Sequence, residues 1–513
     1  MAKIERTKNA TRNIIFGTML KVYQIVLPFI MRTAMLYLLG VKYLGLNSLF
    51  QSILQVLNLA ELGVGSAMVY SMYKPIVEDD TKTICALMKL YRAYYRTIGL
   101  VIGILGLILL PFLPNLIKGD IPSDINIYIL YLLNLSITVL SYWLFAYKNC
   151  ILNAYQRIDI SSKISIFITT IQFILQLFIL IFLKNYYIYL IIALIAQIFN
   201  NIVTYFIVNK MYPQYKAEGS LKREEVRMIN QRIRDLFTAK LGGVIVSSVD
   251  TIVISMFLGL TILAVYQNYY YIMNSVISIV GVIFTAVLSG IGNSIIVDRK
   301  VKVYSNFRVF SFLINWIICI CITCLICLYQ PFMKIWVGNE LMLDFKCVIL
   351  FAVYFYIFEL AMIWATYKDA AGLWNKDRFR PLIGAIVNLI LNIILVNFIG
   401  IYGVLLSTIL SYIFISMPWL INNLFRYLFM CSPWKYVLET FFYGILILIS
   451  SIIAYVICNL WNVDGWLAIV WRVIASVLIA NVVFIVFNIS NKRGKEAFNI
   501  IKNILIIKSK KGR

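Results

Sequence analysis

Lys21 and Arg32 stand inside one long apolar run, and their types and spacing suit them to an anion. At 100° and 1.5 Å per residue, their separation of 11 positions puts them about 20° apart around a helix and about 16 Å apart along it. An arginine fork can grip two phosphate oxygens at once, and a lysine adds a compact second charge. Such charges are costly in a bilayer, so each is expected to face a partner or a water-filled cavity. Asp250 is the counterpart of opposite sign. Laying Leu39-Gly40 over Leu258-Gly259 gives an offset of 219 residues, which carries position 32 onto 251 and sets Arg32 and Asp250 at matched depth. Two readings follow. Either Lys21 and Arg32 attract an anionic substrate with Asp250 as counter-charge or gate, or Arg32 and Asp250 form a fixed ion pair that sets helix packing.

Glu61 and Glu359 are the other carboxylates within apolar runs. Each is deep enough to take up a proton or a sodium ion and so to couple or gate movement. Each can equally close a polar contact between helices. The structural role suits Glu61 better, because it precedes Gly63 and Gly65, where backbones can approach closely. Tyr266, Gln267, Asn268 and Tyr270 open a further apolar run. Tyrosines there read first as a belt at the membrane surface, and one or two are candidates for stacking on sugar rings.

Other chemistries fall away. The chain has no histidine, which removes histidine acid–base catalysis, histidine-ligated metals and haem. Cys319, Cys321, Cys324 and Cys327 mimic a metal pattern. The outer two would sit about 80° apart around one helix and about 12 Å apart along it, so four ligands cannot converge, and no metal site is expected. There is no phosphate-cradling Walker loop. No cofactor is expected beyond a coupling proton or sodium ion, and no enzymatic activity.

The elements that position these residues are membrane helices. Of the 513 residues 62% are hydrophobic and 13% charged, with mean hydropathy +0.88. Apolar runs long enough to span a bilayer, roughly 20 residues, recur from end to end. The fold class is therefore all-α, a polytopic membrane protein of about fourteen transmembrane helices, the first at 14–39 and the last at 466–488. The net charge of +24 does not signal nucleic acid, because its placement follows the positive-inside rule. Only Lys42, Lys118, Lys184, Lys334 and Lys346 fall in loops that would face outward. That asymmetry puts both termini in the cytoplasm. No outward loop is long enough to hold a catalytic domain.

The repeat divides the chain into lobes at 1–208 and 236–424, joined by a cytoplasmic linker at 209–235. Val226, Ile229, Ile233 and Leu236 give that linker an amphipathic stripe suited to the inner leaflet. Two additional spans occupy 425–488, followed by a basic tail at 489–513 that could bind anionic lipid or simply be solvated.

Several stretches resemble one family. They are Leu39-Gly40-Val41 through Gly45, Asn58 through Gly65, Phe257-Leu258-Gly259-Leu260, Asn397 through Thr408, and Gly372-Leu373-Trp374-Asn375-Lys376 with Pro381 and Asn388. Together they look like the Wzx-type polysaccharide flippases, of the superfamily that also holds multidrug exporters and the lipid II flippase. The resemblance implies a MATE-like fold of two pseudo-symmetric lobes in a bacterial plasma membrane, with a cavity lined by the first two helices of each lobe. It implies an undecaprenyl-pyrophosphate-linked oligosaccharide as cargo, flipped outward for capsule, O-antigen or exopolysaccharide assembly by rocking of the lobes. Membrane lipids and a polysaccharide polymerase machinery are the implied partners. The rival of the same architecture is a cation-coupled multidrug exporter, which would favour a carboxylate-lined cavity.

Overall fold

A computed structural model describes residues 6–119, 121–460 and 465–488, together with Gly494 and Glu496. The expected basic tail otherwise lies outside the described residues. The helices are α1 (Arg6–Leu38), α2 (Val41–Leu57), α3 (Val64–Val77), α4 (Thr81–Leu109), α5 (Ile127–Trp143), α6 (Asn149–Ala154), α7 (Ile158–Phe182), α8 (Tyr186–Met211) and α9 (Arg223–Leu258). They continue with α10 (Leu260–Val297), α11 (Lys300–Val337), α12 (Phe345–Ala370), α13 (Trp374–Asp377), α14 (Arg380–Ile399), α15 (Ile401–Ser411), α16 (Met417–Asn423), α17 (Trp434–Leu460) and α18 (Trp466–Asn488). No strand occurs among the described residues. Among the described residues thirteen helical stretches are long and apolar enough to cross a membrane, and 14 if α5 and α6, bent by 47°, count as one span.

The chain divides into two compact units, one reaching to Ala264 and one starting at Val265. In the first, α1 packs on α7, α7 on α8, α4 on α5, and α9 on α2 and α3. In the second, α11 is the centre, packed on α12, α17 and α18, while α14 and α15 form a close hairpin. Both Leu-Gly turns of the repeat end one helix and begin the next through the same backbone shape. Gly40 has φ 109° and ψ 168°, Gly259 φ 89° and ψ 174°. A side chain is strained in that region, so glycine is required at both.

Two elements differ from the hydropathy reading. The second apolar run, which reads as one span over 44–69, is interrupted: a 3₁₀ turn at Asn58–Glu61 and a left-handed Gly63 (φ 91°) separate α2 from α3. The apolar run continues through the break, so hydropathy does not register it. The segment expected as a leaflet-lying linker is helical from Arg223 and continues unbroken into the membrane span as α9. Its stripe docks on protein. Ile229 is buried, Arg232 lies 4.6 Å over the Tyr70 ring and donates to Ser71 Oγ, and Tyr94 donates to Asn230. Gly63 makes room for this contact, since a Cβ there would stand 2.7 Å from that of Leu236.

Candidate functional site

The first helix has two faces. Met19, Val22, Val26, Ile30 and Tyr37 are exposed along one row, as a lipid-facing surface requires. Lys21 and Arg32 lie on the other side, centred roughly 140° away by helical geometry, with buried Met31 and Met35 close beside them. Lys21 and Gln24 are exposed and Arg32 is half-buried. Charged and amide groups within a membrane span cannot face hydrocarbon cheaply, so this side of α1 lines a polar space.

Next to that side, α1, α7 and α8 enclose a cavity of about 230 Å³. Tyr23, Gln24, Thr169, Gln172, Gln197 and Asn200 supply its polar lining, and no charged side chain lines it. The amides are oriented by neighbours on α7 and α8. Gln172 donates to Gln176 at 3.3 Å, Gln176 to the Tyr189 carbonyl at 3.0 Å, and Gln197 to Asn201 at 3.4 Å. Neutral donors and acceptors of this type suit hydroxyl groups. The pattern Gln24, Gln172, Gln197 and Asn200 was open to sequence reading as amides within apolar runs, yet it names no shared cavity until α1 meets α7 and α8.

Arg32 Nη2 donates to the carbonyl oxygen of Ala264 at 3.4 Å, at the start of α10. Asp250 lies on α9 of the same unit, 4% exposed, amid buried Ser248, Thr251 and Ser255. The turn that follows is clasped from two sides. Lys118 Nζ donates to Phe257 O at 2.7 Å, Ser255 Oγ donates to Leu116 O at 2.7 Å, and a Cβ on Gly45 of α2 would stand 2.3 Å from Leu260 O.

Glu61 sits in the 3₁₀ turn and accepts from the Tyr95 hydroxyl at 3.2 Å. Tyr91 donates on to Tyr95, and Tyr142 donates to Asn58 at 3.4 Å. This tyrosine cage escaped the sequence reading. Its only local signal is the i, i+4 spacing of Tyr91 and Tyr95, which puts both on one face of α4.

In the second unit Glu359, in the middle of α12, is 1% exposed, and neither carboxylate oxygen accepts a hydrogen bond from the described residues. Tyr266 and Asn268 are buried, Tyr266 stacking on Tyr270 at 5.9 Å and packing on Phe351 at 5.5 Å; Gln267 and Tyr270 are half-buried. The α14–α15 hairpin holds a wholly buried polar cluster. Asn388 Nδ2 donates to Thr408 Oγ1 at 3.0 Å and Asn392 Nδ2 to Asn388 Oδ1 at 3.2 Å. Uncharged oxygens packed this way are ligands suited to a hard cation such as sodium. Among the described residues no group of three or more Cys, Asp or Glu is placed to hold a metal.

No protein-family model and no curated protein matches the sequence. The fold is that of solved transporters. A lipid II flippase, MurJ, in an inward-closed conformation shares it with a TM-score of 0.65 at 18% identity, covering 93% of this chain and 99% of that one. An inward-facing MATE multidrug transporter gives 0.59 at 15% identity over 80% and 97%. A Vibrio cholerae MATE transporter gives 0.54 at 15% identity over 83% and 99%.

Proposed function

We propose that this chain is a transporter that flips a lipid-linked oligosaccharide, carried on undecaprenyl pyrophosphate, from the inner to the outer leaflet of a bacterial plasma membrane. The observation that carries the reading is the polar side of α1: two cations on one face, beside a cavity whose polar lining is all neutral hydrogen-bonding groups. Lys21 and Arg32 would hold the pyrophosphate and the amides the sugar hydroxyls. Asp250 would act as counter-charge near the Arg32 end. Glu61, caged by hydroxyls, has a positioning role at the α2–α3 break. Of the four residues in the α10 opening, Gln267 and Tyr270 keep enough exposure to touch sugar. Transport needs no covalent step, and the lipid-linked cargo joins this chain to a capsule, O-antigen or exopolysaccharide polymerase. Both termini would lie in the cytoplasm.

Movement uphill needs an ion. Two places suit one: Glu359 for a proton, the Asn388–Asn392–Thr408 cluster for sodium. A cation-coupled multidrug exporter shares the fold. Its favoured feature, carboxylates lining the substrate space, is absent from the α1–α7–α8 cavity.

The test is a deletion strain analysed for undecaprenyl-linked oligosaccharide. Accumulation in the inner leaflet, shielded from an outside glycan probe and relieved by the wild-type gene, supports the flippase. Normal surface polysaccharide with raised sensitivity to cationic dyes refutes it in favour of the exporter.

A further inference from the structure

A second polar cavity, of about 480 Å³, lies where the ends of α11, α12, α17 and α18 meet in the second unit. Lys334 from the last turn of α11 and Arg472 from α18 both line it, and among the described residues no acidic side chain does. Arg472 is half-buried within a membrane-spanning helix and fixed in direction. Its Nη1 donates to the Cys327 carbonyl at 3.4 Å and its Nη2 to Asn459 Oδ1 at 3.1 Å. Those bonds use two of the five guanidinium N–H donors.

Some cations of the unit have carboxylate partners of their own. Arg308 is paired with Glu439, Lys368 with Asp369 and Asp377, and Arg380 with Asp377. Among the described residues no carboxylate comes within ion-pairing distance of Lys334 or Arg472. Two cations converging on one cavity in a membrane protein, with no acidic partner among the described residues, suit an anion from outside.

We infer that this cavity binds the phosphate of an anionic phospholipid headgroup. Arginine offers the bidentate geometry phosphate prefers, and lysine the second charge. The wall beside them is apolar: Phe345 and Tyr455 pack ring to ring at 4.9 Å, the surface a lipid chain needs next to its headgroup. That amphipathic lining separates a lipid from free phosphate. This site is built from residues of the second unit alone and does not depend on the cargo.

The experiment uses the full chain in neutral detergent, titrated with phosphatidylglycerol, phosphatidylcholine or inorganic phosphate and read by native mass spectrometry. Phosphatidylglycerol is expected to stay bound through delipidation, with phosphatidylcholine far weaker. Arg472→Gln is expected to weaken phosphatidylglycerol about tenfold or more, as loss of a charged hydrogen-bonding partner does, and Lys334→Glu to weaken it as well. Lys334 is exposed, so its variant reports on the site even if Arg472→Gln fails to fold. Equal binding of both lipids, or unchanged binding in the Lys334→Glu protein, overturns the site. Displacement of phosphatidylglycerol by millimolar inorganic phosphate overturns the lipid as its occupant.

Discussion

Arg32 on α1 donates through Nη2 to the backbone carbonyl of Ala264 at 3.4 Å, which anchors the expected anion-binding side chain to the first turn of α10. The bond uses one donor of the fork. Arg32→Ala is expected to abolish transport while membrane insertion stays intact; full surface polysaccharide in that strain would refute its role. Exchanging charges, Arg32→Asp with Asp250→Arg, separates the two roles: a static pair is restored in both folding and transport, whereas a cargo contact is restored in folding only.

Gly45 tests the seam between α2 and α10. A methyl group there would meet Leu260 O at 2.3 Å, so the backbones must part. Gly45→Ala is expected to lose about 1–3 kcal/mol despite alanine's higher helix propensity. Thermal unfolding in detergent checks it, and an unchanged midpoint would show that the seam yields freely.

The amide cavity makes a separate prediction. Gln172→Leu and Gln197→Leu keep side-chain size and remove hydrogen bonding. Each is expected to reduce flipping about fivefold, the worth of one neutral hydrogen bond, without lowering the unfolding midpoint. Loss of stability in place of activity would make the amides structural.

Among the described residues Glu359 has no donor to satisfy a charge, and an isolated buried carboxylate is far more costly ionised than neutral. Glu359→Gln preserves shape and is expected to leave stability equal or higher. Transport by that variant should lose its response to an imposed proton gradient. A retained response, together with a sodium requirement abolished by Asn388→Ala, would assign coupling to the α14–α15 cluster.

Much of the architecture is legible in the sequence because lipid imposes a plain rule: a span must be apolar for its whole length. The Leu-Gly turns were legible for a similar reason, since both need a backbone shape that only glycine adopts readily. The break at Asn58–Gly63 was not, because a 3₁₀ turn costs no hydropathy when protein surrounds it. The stripe of Val226, Ile229 and Ile233 fits a leaflet and a helix surface equally well; only the proximity of α3 decides between them. Glu61's partners lie on α4 and α5, and Glu359 is set apart by what surrounds it, which no local spacing records. Lys21 and Arg32 stood out because charge in an apolar run is rare and helical geometry is rigid enough to align them.

That rigidity has a mechanical side in α9. At 36 residues it is about 54 Å long and has no interior break. Its first turns bear charged residues, clamped by Arg232 onto Tyr70, and its far half carries Asp250. A jointed linker would absorb a push at its polar end, whereas an unbroken rod delivers it to the buried carboxylate as a shift or a twist. One continuous helix thus joins the polar segment to a buried carboxylate within the membrane span.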